Sequence, residues 1–564
     1  MSENPAQQAM PDPTDDIHAL RAQPYAERLQ TICLRWALGR SATPAAIYLG
    51  YLAKYLLIYI GGWWFFCSLT PGMGGLADFT TWAMTATAFQ KAILWSLAYE
   101  GLGLGCSSGP MTGRFLPPIG GVLHFARPGT TKLPQWPGLP LFGGTRRTLL
   151  DVALYAAIYV FLIGGLVADE ISLNMLLPLA VLIPLLGLSD KTTFIGFRGD
   201  HYYLALVCLC FLMAPGEVWI AGAKAVWFGI WFWAAASKLN SHFPSVIAVM
   251  LTNSPFIPRS IYRRFYREFP TDLRPSGLAK HLAHAGTLVE FTFPMVLIAS
   301  AGGPITPYAL VAMLLFHSFI AGNAPSGMPI EWNIMMVFGG FVLFGHFAAV
   351  PISALTTAWP LLAFLSLMLI VVPLVGNFFP RWVSFLLSMR YYAGNWAYSV
   401  WLFRDDSVDK LARIHKVIPT MHEQLSRMID DEDMVELSCA MTPAFRLMHI
   451  QGRALHLPLA QVAEDLHRYD WHDGEMIAGM LLGWNFGDGH LHDEQLIDAV
   501  QERCDFEEGE LRVIIVESQP LFGKSMAWRI VDAKTGRLTE GETLIKDMKE
   551  WHPWPTGPRA EALK

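Results

Sequence analysis

The sequence predicts an all-α polytopic membrane bundle of about ten transmembrane helices, followed by a C-terminal soluble α+β domain. Three observations predict it. The 564 residues are 53% hydrophobic and 16% charged, with mean hydropathy +0.34, whereas a soluble chain carries about 25% charge. Runs of about 20 apolar residues, the length that crosses the hydrocarbon layer as a helix, recur through the first two-thirds of the chain. From about Arg390 these runs stop and charge becomes dense.

Residues 1–43 read as a polar cytoplasmic arm. They lack the basic start and short apolar core of a signal peptide. A multi-span domain follows over 44–380, with candidate spans at 44–67, 86–106, 148–168, 171–189, 201–215, 217–237, 282–302, 306–322, 332–350 and 354–376. Lys and Arg concentrate in the arm, in 107–147 and in 238–281. With ten spans all three fall on one side together with the tail, which places both termini in the cytoplasm. Segment 107–147 is rich in Gly and Pro and reads as a re-entrant or interfacial loop. Segment 256–270, FIPRSIYRRFYREFP, reads as an interfacial amphipathic helix, or else as an ordinary basic loop.

Residues 390–564 read as the soluble domain. Helical periodicity appears around 407–429, 456–469 and 492–504. LRVIIVES (511–518) and MAWRIVDAKTGRL (526–538) read as strands, with a turn at Lys534-Thr535-Gly536. There is no phosphate-binding loop, dinucleotide fingerprint or nucleophile elbow. The seven cysteines form no CxxC pair and read as reduced, mostly buried thiols. The soluble-domain histidines lack metal-site spacing, so no metal is expected, and no basic patch with interleaved aromatics points to nucleic acid.

The candidate site lies among ionisable residues inside apolar runs, where charge is costly and therefore a pointer to function. Lys238 closes the segment WFGIWFWAAASKLNSHFPSV. Desolvation favours a neutral amine, which suits a general base; the alternative is a lysine that snorkels to the interface. His201, after Asp200, opens the fifth span; it either donates to a bound polar group or faces the headgroups behind an Asp200 helix cap. Glu290 lies deep in the seventh span, six residues after His284, and needs a partner such as Lys238 or a histidine. His317, near the end of the eighth span, is a pocket residue or a packing histidine. Lys54, Glu217 and Lys224 read as mostly structural, with Lys54 snorkelling.

The order Asp200-His201-Tyr202-Tyr203-Leu204, then FWAAASKL (232–239), then HAGTLVE (284–290), then Phe316-His317 resembles the membrane domain of vitamin K-dependent γ-carboxylases and the wider horizontally transferred transmembrane (HTTM) family. The resemblance covers about 145–375. It implies a reduced, vitamin K-like quinone as cofactor, Lys238 as the base that deprotonates it, and His201 and His317 in the same pocket. Asp200, His284 and Glu290 are implied as supporting residues, Glu290 orienting the lysine. The tail departs from the carboxylases, whose large C-terminal region lies on the outer or lumenal side. A quinol oxygenation, or another base-driven reaction on a lipid, is therefore expected in preference to peptide carboxylation. The expected partners are membrane lipid, a quinone and a protein that meets the C-terminal domain; the expected location is a bacterial inner membrane. The second expectation is a transporter, lipid-binding protein or scaffold that reuses the fold.

Overall fold

Apolar helices up to residue 378 precede a C-terminal region built on a β-sheet. This computed structural model describes residues 16–38, 45–105, 121–254, 256–323, 330–391, 393–484, 486 and 488–563.

The arm forms α1 (Ile17–Ala22), which Asp16 caps by accepting from two backbone amides, and α2 (Tyr25–Ala37). The apolar helices are α3 (45–68), α4 (Ala86–Gly101), α5 (Leu149–Val167), α6 (Leu173–Ser189), α7 (Tyr202–Leu209), α8 (Val218–Ser237), α9 (Phe243–Asn253), α10 (Gly277–Ser300), α11 (Thr306–Ala321), α12 (Ile330–His346) and α13 (Trp359–Phe378). Local sequence explains several boundaries. Thr148 and Asp151 close a reciprocal capping box on α5. Pro215-Gly216, with Gly216 at φ 74°, turns the chain into α8. Asn240 Oδ1 accepts from the amides of His242 and Phe243 at 2.7 and 3.0 Å, and Pro244 follows at the start of α9.

All ten expected stretches contain helix, but among the described residues four helices are long and apolar enough to cross a membrane: Leu149–Val167, Pro215–Ser237, Gly277–Ser300 and Trp359–Phe378. The stretch expected at 201–215 holds only the eight-residue α7, about 12 Å long, short of the ~30 Å layer. The Pro215–Ser237 span is 78% buried while the other three are 33% buried, so α8 is the hub around which the others pack. The outer faces expose Val160, Val181, Leu288, Leu315, Trp359 and Ile370. In water such a belt would drive aggregation; in lipid it is ordinary surface.

Segment 256–270 is not a long interfacial helix. One turn, Arg259–Tyr262, and a short 3-10 stretch lead into a hairpin of β1 (Tyr266–Glu268) and β2 (Asp272–Pro275). Segment 238–281 also contains α9, whose VIAVML run is buried against its neighbours. Of the 107–147 loop, residues 106–120 lie outside the described residues; the remainder folds over the ends of α5 and α6. There Lys132 reaches Asp151 at 2.8 Å and Arg147 reaches Asp190 at 2.6 Å, all four buried.

In the C-terminal region, β3 (Tyr398–Arg404), β4 (Tyr469–Asp473), β5 (Leu511–Val516), β6 (Ser525–Asp532) and β7 (Gly536–Leu544) form an antiparallel sheet in the order β4-β3-β5-β6-β7. The expected turn is present: Asp532 Oδ1 accepts from the amides of Lys534 and Thr535, and Gly536 sits at φ 85°. The edge strand β7 is half-exposed and carries Arg537, Glu540 and Glu542, which discourages pairing with another edge. The stretch 407–429 is not one helix; a 3-10 segment and the short helix Met421–Leu425 flank Pro419. The stretch 456–469 ends its helix at Val462 and runs on into β4.

This region docks against all three basic segments. Arg21 pairs with Glu436 at 2.8 Å, Gln495 donates to the Pro134 carbonyl at 2.7 Å, and Arg267 pairs with Glu550 at 3.2 Å. The arm, the 121–147 loop and the 259–276 segment therefore share one face of the molecule.

Candidate functional site

The site grows from the end of α8. Lys238 follows Ser237 and its ammonium donates to both oxygens of Glu290, at 2.6 and 2.5 Å. Glu290 lies 13 residues along α10 from Gly277, about 20 Å at 1.5 Å per residue. The two side chains are 9% and 5% exposed, so the lysine does not snorkel to water. The Phe243 and Phe316 rings lie 5.6 and 5.7 Å from Nζ and add cation–π attraction. Taking both charges out of water costs several kcal/mol per ion, and the two-contact geometry offsets that cost.

His317 on α11 is buried, and both its nitrogens are engaged. Trp231 Nε1 donates to Nε2 at 3.0 Å, so Nδ1 carries the proton and donates to Asn333 Oδ1 at 2.8 Å. An indole can only donate, which fixes this tautomer. His201 is itself the N-cap of α7, and its side chain makes no cap bond. Its Nδ1 accepts from Trp332 Nε1 at 2.8 Å, so Nε2 carries the hydrogen, and that buried atom has no hydrogen-bond partner. Trp227 of α8 stands edge-on to the ring, with centroids 4.7 Å apart. Asp200 does not cap a helix towards the headgroups; it is buried, accepts from Arg198 at 3.1 and 2.9 Å and from the Tyr391 hydroxyl. His284 is exposed on the outer side of α10 and does not join these groups.

Lys238, Glu290 and His317 thus lie in one neighbourhood: His317 follows Phe316, whose ring lies 5.7 Å from Lys238 Nζ. His201 belongs to a second polar centre beyond Trp227 and Trp332. The link between the two is Glu331-Trp332-Asn333, three consecutive residues of α12. Trp332 holds His201 and Asn333 holds His317, while Glu331 is fully buried beside them. Sequence reasoning missed Glu100, Arg198 and the α12 triplet. The available signal was polar residues in EWNIMM at the head of an apolar run and a glutamate near the end of α4.

Two lysines read as structural prove buried donors. Lys54 does not snorkel; it donates to the Leu104 carbonyl at 2.6 Å. Lys224 donates to the carbonyls of Phe347, Ala348 and Val350, capping the end of α12.

In the C-terminal region, burial pushes His449 down to about 4, and His456 and His492 down to about 3. His492 Nδ1 lies 2.6 Å from Ser399 Oγ while His490 faces Glu517, so the two do not share a ligand position. Burial alone would raise Glu517, but His490 and Arg529 hold it down to about 2. Among the described residues no three His, Cys, Asp or Glu side chains gather as a metal site.

No curated protein and no solved structure matches the chain. The family match does not connect it to the HTTM or carboxylase families. A family model matches residues 7–562, and the chain belongs to that family, described as a transmembrane protein of unknown function (DUF3556).

Proposed function

We propose that this integral membrane protein performs acid–base chemistry on a lipid-soluble, quinol-type molecule, with Lys238 as the proton acceptor. The observation that carries the reading is the buried Lys238–Glu290 pair at the end of the most enclosed span. In a site of low dielectric the ion pair loses most of its hydration, so the gap to the neutral pair narrows. A proton passed from Nζ to Glu290 leaves an amine able to take a hydroxyl proton. The aromatic surround of Phe243 and Phe316 suits a planar ring. A reduced quinone, when bound, would supply the acidic hydroxyl and the reducing equivalents. His317, fixed by Trp231 and Asn333, is a positioning residue for the aromatic wall, and His201 presents an N–H donor rather than a base.

The order of four motifs, which resembles that of the HTTM and carboxylase families, is what suggested the same assignment. The shared face of the three basic segments supports an even number of crossings between them, with the termini cytoplasmic at a bacterial inner membrane. The C-terminal sheet region on that face is where a protein partner would meet the molecule.

The test is oxidation of an added reduced naphthoquinone by dissolved dioxygen, the electron acceptor, in the presence of protein in lipid nanodiscs. Wild type is expected to turn over, and Lys238→Ala and Lys238→Arg to be inactive at unchanged folding. Normal turnover by folded Lys238→Ala removes the proposal. One observation favours a second reading, a non-enzymatic lipid-binding, transport or scaffold protein: His201 and His317 both face tryptophans rather than a space shared with Lys238.

A further inference from the structure

The last apolar helix and the C-terminal sheet meet at an aromatic patch. On α13, Ile370, Leu374 and Phe378 recur every four positions and share one exposed face. This stripe belongs to the belt that faces hydrocarbon, and it runs to the end of the helix. Beyond Phe378 it continues on another part of the chain. The Phe378 ring lies against Phe522, with centroids 6.3 Å apart, and Phe522 is in the loop between β5 and β6. Phe522 is 85% exposed, and Leu521 beside it is exposed as well. Phe379 stacks on Trp382 with centroids 4.7 Å apart, and both rings are exposed just past the same helix end.

The loop is fixed in place. The Leu521 amide donates to the Asn377 carbonyl at 2.7 Å, in the last turn of α13. Below the tip, the Gln519 amide donates to Asn395 Oδ1 at 2.8 Å, and the Gln519 carbonyl accepts from Asn395 Nδ2 at 2.9 Å. Gln519 Nε2 crosses the loop to the Gly523 carbonyl at 2.6 Å, and His242 Nε2 donates to Gln519 Oε1 at 2.9 Å. Phe522 itself sits at φ 62°, a conformation that disfavours a bulky side chain. A fixed loop in a strained conformation thus holds two large apolar side chains outward. In water neither would gain the free energy of burial. In the boundary between headgroups and acyl chains Phe and Leu gain it, and Trp382 suits the aromatic belt at that level. The nearby cations fit the same place. Lys524, two residues after Phe522, and Arg381, next to Trp382, are both exposed. Arg381 also pairs with Glu517 at 3.4 Å. Basic side chains at the cytoplasmic end of a span meet lipid phosphate.

We propose that the β5–β6 loop seats Leu521 and Phe522 in the interfacial layer of the lipid bilayer, beside Phe378, Phe379 and Trp382, and so gives the C-terminal region its own attachment to the membrane. The occupant of the patch is lipid because the lipid-facing stripe of α13 leads directly onto it. The attachment goes beyond the chemistry assigned to Lys238 and stands without it. Through Gln519 and His242 it also ties the start of α9 to the bilayer surface.

Spin labelling of the full chain in phosphatidylcholine–phosphatidylglycerol nanodiscs tests it. A nitroxide is placed through Phe522→Cys. Leu374→Cys serves as the lipid-facing reference, and Thr535→Cys, at the opposite end of β6, as the aqueous one. All three positions are exposed, so no substitution empties a core position. The unsubstituted chain, treated with the same label, gives the background from the native cysteines. Collision rates are compared for oxygen, which concentrates in lipid, and for a water-soluble nickel chelate. The oxygen-to-nickel ratio at 522 is expected to lie several-fold above that at 535 and to approach that at 374. A ratio at 522 equal to that at 535 overturns the proposal, because the loop is then in water. Low collision rates with both reagents also overturn it, because a second copy or another protein then covers the tip.

Discussion

Lys238 and Glu290 form a pair whose energetics can be worked through. Their side chains are 9% and 5% exposed, and Nζ touches both carboxylate oxygens at 2.6 and 2.5 Å. Removing one partner leaves an uncompensated buried charge, a loss of about 3–5 kcal/mol. Lys238→Met and Glu290→Leu are each expected to lose that much. The double variant removes both charges and fills the space with apolar atoms, and is expected within about 1–2 kcal/mol of wild type. The coupling is then several kcal/mol, far above the few tenths typical of independent sites. Unfolding in mixed micelles titrated with a denaturing detergent, followed by tryptophan fluorescence, gives all four corners of the cycle. A double variant that loses the sum of the two single losses would refute the pairing.

Three further outcomes follow from other residues. His449, His456 and His492 are held below the ordinary histidine range of about 6.5 by burial, so their stabilising effect is complete above pH 6.5 and is lost as pH falls towards 4. Each loses about 2 kcal/mol by pH 5, so protease resistance of the C-terminal region should drop between pH 7 and 5; resistance unchanged over that range contradicts their burial as neutral rings. Arg446 is buried and binds Asp473 at 2.6 and 2.9 Å and Glu475 at 2.6 Å, so Arg446→Met should cost about 3–5 kcal/mol, read as earlier proteolysis of the same region. Gly339 packs α12 against α8, and a Cβ there would meet the Trp227 ring at 2.5 Å; Gly339→Ala should lower the melting temperature by an overpacking cost of about 1–3 kcal/mol, and an unchanged melt would show that Trp227 yields freely.

The apolar runs were legible because every helix in lipid must satisfy its own backbone bonds, which demands long unbroken apolar sequence. That logic placed helix in each of the ten expected stretches and singled out Lys238, whose burial the sequence left open against snorkelling. It does not distinguish a helix facing lipid from one enclosed by protein, so α7 looked like a span although it is two turns long. It also passed over α9, because Pro244 and the basic residues after it made the segment resemble a loop. Glu290 and Lys238 announced themselves by charge inside apolar sequence, but their pairing depends on where α10 crosses α8, which no local pattern encodes. The tautomers of His201 and His317 depend on Trp231, Trp332 and Asn333, residues that look like ordinary helix content. In the C-terminal region the β6–β7 turn was readable from Asp532 and Gly536. The strands β3 and β4 were not, because their pairing spans about 70 residues of chain and β4 follows directly on a helical stretch.

The assignment of quinol chemistry to Lys238 is tested most directly by native mass spectrometry of the purified protein released from nanodiscs. Wild type is predicted to carry a bound quinone that Lys238→Ala and Glu290→Gln retain weakly or not at all. A folded wild-type protein that carries phospholipid but no quinone, including after loading with a reduced naphthoquinone, would contradict it.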